Sequence, residues 1–140
     1  MQANGTIPPT FIDLFSGCGG LSLGMALAGW QGVFAIEKAS DAFKTFEANF
    51  LSGPASIRFG WPEWLEKRAH SIEEVLRVHE ADIRRLEGSI DVVAGGPPCQ
   101  GFSFAGRRNK NDPRNRLFEQ YVQFVSDVRP KAVVLENVNG

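Results

Sequence analysis

Cys99 sits where a thiol could do chemistry, inside Gly95-Gly96-Pro97-Pro98-Cys99-Gln100-Gly101-Phe102-Ser103. The glycines free the backbone, while the prolines fix φ and hold the residues before them extended. An apolar run, Ile90 to Ala94, leads into the segment. The thiol is therefore expected just past the end of a buried strand, where open α/β sheets bind ligands. Deprotonated, it would be a nucleophile. An isolated Pro-Pro-Cys loop describes an inert buried cysteine better, so the neighbouring segments must decide.

A second candidate is the turn Ser16-Gly17-Cys18-Gly19-Gly20 after the apolar stretch Phe11–Phe15. Its glycines let a ligand approach the backbone closely. Glu37 follows Gly17 by 20 residues (37 − 17), a place where an acid can hydrogen-bond ribose hydroxyls. The third glycine of a dinucleotide fingerprint would fall at position 22, which is Ser22. That weakens the dinucleotide reading and leaves a nucleoside without a pyrophosphate open. Singly, a packing cluster of glycines and a solvated strand-end acid explain these residues as well.

The stretch Arg107, Arg108, Lys110, Arg114, Arg116 against Asp112 carries five positive charges and one negative, a local +4. A short charge run is ordinarily a solvated loop. Beside a reactive thiol it could instead grip phosphates, with Asn109-Lys110-Asn111-Asp112 closing over a substrate. Trp61 and Trp64 read as core or interface anchors. His70 and His79 lack metal-like partners and are expected to be structural or exposed.

The elements that must position these groups follow from periodicity. Phe11–Phe15, Val33–Ile36, Ile90–Ala94 and Ala132–Leu135 read as buried strands, and Ile57–Phe59 as a short fifth. Helices are expected over Leu21–Ala28, over Asp41–Phe50 with Ser40 as cap, as one piece from Ile72 to Gly88, and over Leu117–Val128. Residues Arg107–Arg116 read as a polar loop. Strands alternating with helices predict a parallel α/β sheet. The Ser16–Gly20 turn, Glu37, the Cys99 loop and Glu136 all follow strands and would meet at one rim.

Bulk properties narrow the alternatives. The chain is 43% hydrophobic with net charge −1, so it can bury a core and has no global basic signature for nucleic acid. Two cysteines make neither a disulfide framework nor a four-ligand zinc site, and a reduced cytoplasmic setting, nucleoid-associated in a bacterium, is the simplest fit. No apolar run is long enough to span a membrane.

Taken together, the motifs resemble one family. Phe11-Ile12-Asp13-Leu14-Phe15-Ser16-Gly17-Cys18-Gly19-Gly20 resembles the first motif of the cytosine-5 DNA methyltransferases. Gly96-Pro97-Pro98-Cys99-Gln100-Gly101-Phe102-Ser103 is similar to their nucleophile motif, and Glu136-Asn137-Val138 to their acid motif. Asp112-x-Arg114-x-x-Leu117-Phe118 is similar to a further segment. Three motifs in family order make coincidence a poor explanation. The resemblance implies a Rossmann-like parallel-sheet fold that binds S-adenosylmethionine through Phe15, Ser16, Gly17, Cys18, Gly19, Gly20 and Leu21. Glu37 would hold the ribose, Asp82 the adenine, and Pro98 and Ser103 would lie close to the cofactor.

It further implies methyl transfer to C5 of cytosine, in a restriction-modification or epigenetic setting. Cys99 would add to C6 and Glu136 would act at N3, where burial raising its pKa would help. Gln100, Arg107, Arg108, Lys110 and Arg114 would contact duplex DNA whose target base is flipped out. The family's later motifs and its target-recognition domain do not follow Glu136. The expectation is thus the N-terminal part of the catalytic domain over 1–140, with a bare last strand. Such a chain would self-associate or depend on a complementary polypeptide. Two rivals are an RNA cytosine-5 methyltransferase and a non-catalytic cofactor-binding or docking module.

Overall fold

A computed structural model describes residues 7–53, 57, 59–98 and 113–136, with side chains described outside 113–115. Four parallel strands form one sheet: β1 (Thr10–Leu14), β2 (Gln31–Ile36), β3 (Val92–Gly95) and β4 (Ala132–Leu135). Their order is β2-β1-β3-β4. β1 connects outward to β2, and the chain then crosses back over β1 to β3. The direction of winding therefore reverses between β1 and β3, and the crevice at their carboxyl ends is where such sheets bind ligands. The register is continuous from Phe11↔Val92 to Leu14↔Gly95. Between β1 and β2 it shifts, from Phe11↔Gly32 to Asp13↔Ala35, so β2 carries a bulge.

All four expected principal strands are present, since each is a mainly apolar run. Ala132–Leu135, expected to be buried, is however exposed at all four positions, because among the described residues too little packs over β4 to bury it. Ile57–Phe59 is not a strand among the described residues. Instead the following residues touch β2 through two backbone bonds, Gly60 N–H to Gly32 O and Trp61 N–H to Val33 O, both 2.8 Å.

The helices are α1 (Gly20–Leu27), α2 (Ser40–Phe46), α3 (Ile72–Val78), α4 (Glu80–Arg84) and α5 (Pro113–Val128). α2 continues into a wider π-helical turn, Glu47–Leu51. Ser40 is the first helical residue and not the cap, which is Ala39. The single helix expected from Ile72 to Gly88 is two, interrupted at His79 (φ −115°, ψ 26°), whose ring packs 5.2 Å from that of Trp64. α5 begins at Pro113, so Arg114 and Arg116 belong to a helix and not to a loop. Proline suits a helix's first turn, where its missing N–H would have had no partner.

The core is strongly aromatic on the β2 side. Phe46 lies 4.6 Å from Phe50 and 5.1 Å from Phe59, ring centre to ring centre, and Phe59 lies 5.3 Å edge-on to Phe11. Two glycines make room for it. A Cβ on Gly32 would fall 2.5 Å from the Phe59 ring, and one on Gly19 would fall 2.2 Å from Cε2 of Phe50. The cluster thus presses directly on the turn after β1.

Candidate cofactor site

That turn is held in an unusual backbone. Phe15, Gly17 and Gly19 have φ of 60°, 55° and 96°, the left-handed region that glycine enters freely and phenylalanine does not. Ser16 N–H donates to Ile36 O (3.1 Å) and Gly19 N–H to Ser16 O (2.9 Å). The turn is therefore tied both to β2 and to itself.

Glu37, just past β2, closes the arrangement. One carboxylate oxygen accepts from Gly17 N–H at 2.8 Å and the other from Ala39 N–H at 2.7 Å. Each oxygen has a second lone pair for a further donor. The Glu37 carbonyl accepts from His70 N–H at 2.9 Å, which brings the segment before α3 to the same place. A cavity of about 260 Å³ lies between them, lined by Phe15, Ile36, Glu37 and Lys38 on one side and His70, Ser71 and Ile72 on another. Gly96, Pro98 and Leu117 complete it. It opens at the reversal point of the sheet, and its size approaches the range of small-molecule pockets, roughly 300–1,000 Å³.

Of the residues expected at the cofactor, Phe15, Glu37 and Pro98 line this cavity. Gly17 supplies an amide to Glu37 and faces open space where a Cβ would be. Ser16 is buried, and its hydroxyl is one of two buried side-chain polar atoms among the described residues with no hydrogen-bond partner. Cys18, Gly19 and Gly20 line a second cavity, of about 320 Å³, on the α1–α2 side of the turn. Leu21 is exposed on α1.

Asp82 is elsewhere. It lies on α4, paired with Arg85 at 2.7 Å and with His79 at 3.7 Å, and does not line the cavity. The structure gives that wall to His70, Ser71 and Ile72. Their sequence signal is Ser71-x-x-Glu74, a helix-start pattern, and Ser71 Oγ does accept from Glu74 N–H at 3.1 Å. His70, expected to be structural or exposed, is 3% exposed and lines the cavity.

Beneath the turn, Asp13 on β1 is almost wholly buried and accepts from Ser22 Oγ of α1 at 2.5 Å. Ser22, fully buried, is therefore the strut between strand and helix at the position where a dinucleotide fold would have glycine. Burial pushes the Asp13 carboxyl up to about 6, the Ser22 hydrogen bonds oppose the rise, and the charge of Glu37 adds to it. Tyr121 of α5 is pushed up to about 12, chiefly by burial and then by Asp13.

Glu136 follows β4 directly. Its N–H donates to Gly95 O at 2.9 Å, and its carboxylate lies against Gly96, where a Cβ would sit 2.7 Å from Oε2. The expected acid therefore stands beside the strand end that leads to Cys99. It is exposed, not buried. Cys99, Gln100, Ser103, Arg107, Arg108 and Lys110 lie outside the described residues, as does the side chain of Arg114.

Comparison with known proteins decides the family. The C-5 cytosine-specific DNA methylase profile matches residues 9–140. The chain belongs to the C-5 cytosine-specific DNA methylases. It is 39% identical to the type II methyltransferase M.DdeI of Desulfomicrobium norvegicum over 92% of its own length and 28% of that protein's. It is 40% identical to M.AgeI of Thalassovita gelatinovora, again over 92% and 28%. This methylase chain thus spans under a third of those relatives.

Among solved structures, it matches a putative DNA modification methyltransferase encoded within an E. coli prophage (34% identity, TM-score 0.64). That match covers 94% of this chain and 32% of the other. Dnmt2 methyltransferase of S. pombe (21% identity, TM-score 0.58, 94% and 37% covered) shares the fold. Among the described residues, no His, Cys, Asp or Glu cluster could hold a metal, and no helix is long and apolar enough to cross a membrane.

Proposed function

We propose that this chain is the cofactor-binding and catalytic part of an enzyme that methylates C5 of cytosine in DNA. The observation that carries the reading is Glu37. Both of its carboxylate oxygens are fixed by backbone amides, and each keeps a lone pair at the mouth of a cavity of nucleoside scale. Two vicinal ribose hydroxyls could be held by such a carboxylate. The partnerless Ser16 hydroxyl and the open space at Gly17 suit a ligand lying along the turn. The donor set thus fits S-adenosylmethionine, which when bound supplies an electrophilic methyl group.

The chain's own residues would do the rest. The Cys99 thiolate adds to C6, and the electron pair of the C5–C6 double bond becomes available at C5. Glu136 donates a proton or hydrogen bond at N3 and makes C6 more electrophilic. After C5 is methylated, its proton passes to a solvent base, the C5–C6 double bond re-forms, and Cys99 leaves C6 as the thiolate. The basic residues Arg107, Arg108, Lys110 and Arg114, with Gln100, would hold the phosphates and bases around a flipped cytosine. The setting would be the cytoplasm, in restriction-modification. The exposed β4 would be covered by further polypeptide of the methylase fold or by a second copy.

Calorimetry with S-adenosylmethionine tests the cofactor part. Glu37→Ala should weaken binding by roughly 1.5–3 kcal/mol, the contribution of hydrogen bonds to a charged group. Unchanged binding removes Glu37 from the site. DNA carrying 5-fluorocytosine tests the nucleophile, because fluorine cannot depart as the proton does. A trapped adduct should map to Cys99, and an adduct on Cys18 overturns the assignment. Methylation of RNA in preference to duplex DNA would redirect the substrate.

A further inference from the structure

In the cavity wall His70-Ser71-Ile72, the first two residues end a stretch, Phe59–Ser71, without helix or strand, and Ile72 opens α3. An irregular wall needs ties to hold a ligand-binding shape, and three of its ties converge on His70. The backbone N–H of His70 donates to Glu37 O at 2.9 Å. Nε2 of its ring lies 3.0 Å from the carbonyl of Glu66, four residues back, and Nδ1 lies 3.4 Å from the carboxylate of Glu74, four residues on. One imidazole thus spans the loop before the wall and the first turn of the helix after it.

The side chain is 2% exposed and that of Glu74 31% exposed, so these bonds form largely away from water, where a lost partner costs most. A second tie runs outside. Arg68 bonds Glu66 at 2.6 Å and Glu74 at 2.7 Å, but its side chain is 49% exposed. Ion pairs of that kind contribute little.

We propose that His70 is a positioning residue for the nucleoside half of the ligand. It would hold the Ser71–Ile72 wall at a fixed distance from Glu37. This rests on the cofactor reading above and adds a residue to it. The wall is set by a buried side chain that can donate from Nε2 to the Glu66 carbonyl and lies with Nδ1 against the Glu74 carboxylate, and the solvent-facing arginine network plays a minor part. Glutamine places its amide nitrogen near where Nε2 stands, and so retains the shorter, 3.0 Å bond. Asparagine imitates only Nδ1 and its longer contact.

The test is binding of adenosine and of S-adenosylmethionine to wild type, His70→Ala, His70→Gln, His70→Asn and Arg68→Ala, with thermal melts of each. His70→Ala should weaken both ligands by the same factor, about ten-fold for one or two lost buried hydrogen bonds. His70→Gln should recover most of the affinity and His70→Asn little. Arg68→Ala should stay within about two-fold.

Equal binding by folded His70→Ala overturns the proposal, as does weakening confined to S-adenosylmethionine with adenosine unaffected. If His70→Ala does not fold, the order of the glutamine and asparagine variants decides, and equal affinities for those two overturn it. A wild-type protein that binds neither ligand removes the cofactor reading itself, and this inference with it. Wild-type binding that Glu37→Ala weakens, with no response to any His70 variant, removes this inference alone.

Discussion

β2 and β4 are the two outer strands of one parallel sheet, yet Phe34, Ala35 and Ile36 on β2 are at most 2% exposed, while Val133, Val134 and Leu135 on β4 are 41–45% exposed. Both strands are short apolar runs, so their own sequences do not explain the contrast. The difference lies in what returns to them. Phe59, Gly60 and Trp61 pass alongside β2, add two backbone bonds, and seat Phe59 on Gly32. Among the described residues nothing comparable returns to β4. The carboxyl end of that covered strand, Ile36–Lys38, also forms one side of the cavity. The aromatic cluster, seated on Gly32 and Gly19, is a rigid backing for the turn after β1.

The sharpest way to break that contrast is to thin the cluster. Phe46 is fully buried, stacks on Phe43, and meets Phe50 at a tilt and Phe59 edge-on. Phe46→Ala should lower stability by about 3–5 kcal/mol in urea denaturation. It should also loosen the turn at Gly19, seen as weaker nucleoside binding even where the protein stays folded. A loss no larger than that of an exposed residue would show that the cluster is not the backing proposed for it.

A buried charge sharpens the same comparison next. The Asp13 carboxyl is raised from 3.8 to about 6 in the fold. The unfolded chain therefore loses this proton first as pH rises. The contribution of Asp13 to stability is least unfavourable below about pH 4, worsens through the window to about pH 6, and stays unfavourable above it. Two pKa units correspond to about 3 kcal/mol. Asp13→Asn should flatten this slope when unfolding midpoints are compared at pH 4.5 and 7. A slope unchanged by the substitution would mean that other groups carry the pH dependence.

The smallest effects separate the strands directly. Val93 and Val133 are register partners on β3 and β4, fully buried and 45% exposed. Val93→Ala should lose about 1.5–3 kcal/mol, and Val133→Ala no more than about 0.5 kcal/mol. Val134→Lys should leave stability nearly unchanged and reduce any self-association measured by sedimentation. Association that survives this change must use another face.

The sequence exposed the sheet because its strands are mainly apolar runs, Val33–Ile36, Ile90–Ala94 and Ala132–Leu135 among them, although the last run is exposed and not buried as its composition suggests. It exposed the glycine turn and Glu37 because φ above zero and a strand-end acid leave a mark in residue type. It did not expose the break at His79, since the apolar spacing from Ile72 to Leu86 runs straight through that residue. Nor did it mark His70 as a cavity residue, because a histidine lying between a carbonyl and a carboxylate leaves no pattern until the loop is folded. Ser71-x-x-Glu74 was the available clue, because it fixes where α3 begins and therefore where the wall must stand.

The closeness of Glu136 to Gly96 limits what an engineer can do here. A hydrogen is the largest group that position 96 can carry without displacing the carboxylate, since a methyl carbon would stand 2.7 Å from Oε2. A larger residue at position 96 would turn the Glu136 carboxylate aside, so diversity meant to leave that acid in place is better put at Lys38. That residue reaches the same cavity from an exposed site and can change size or charge without disturbing a neighbouring strand.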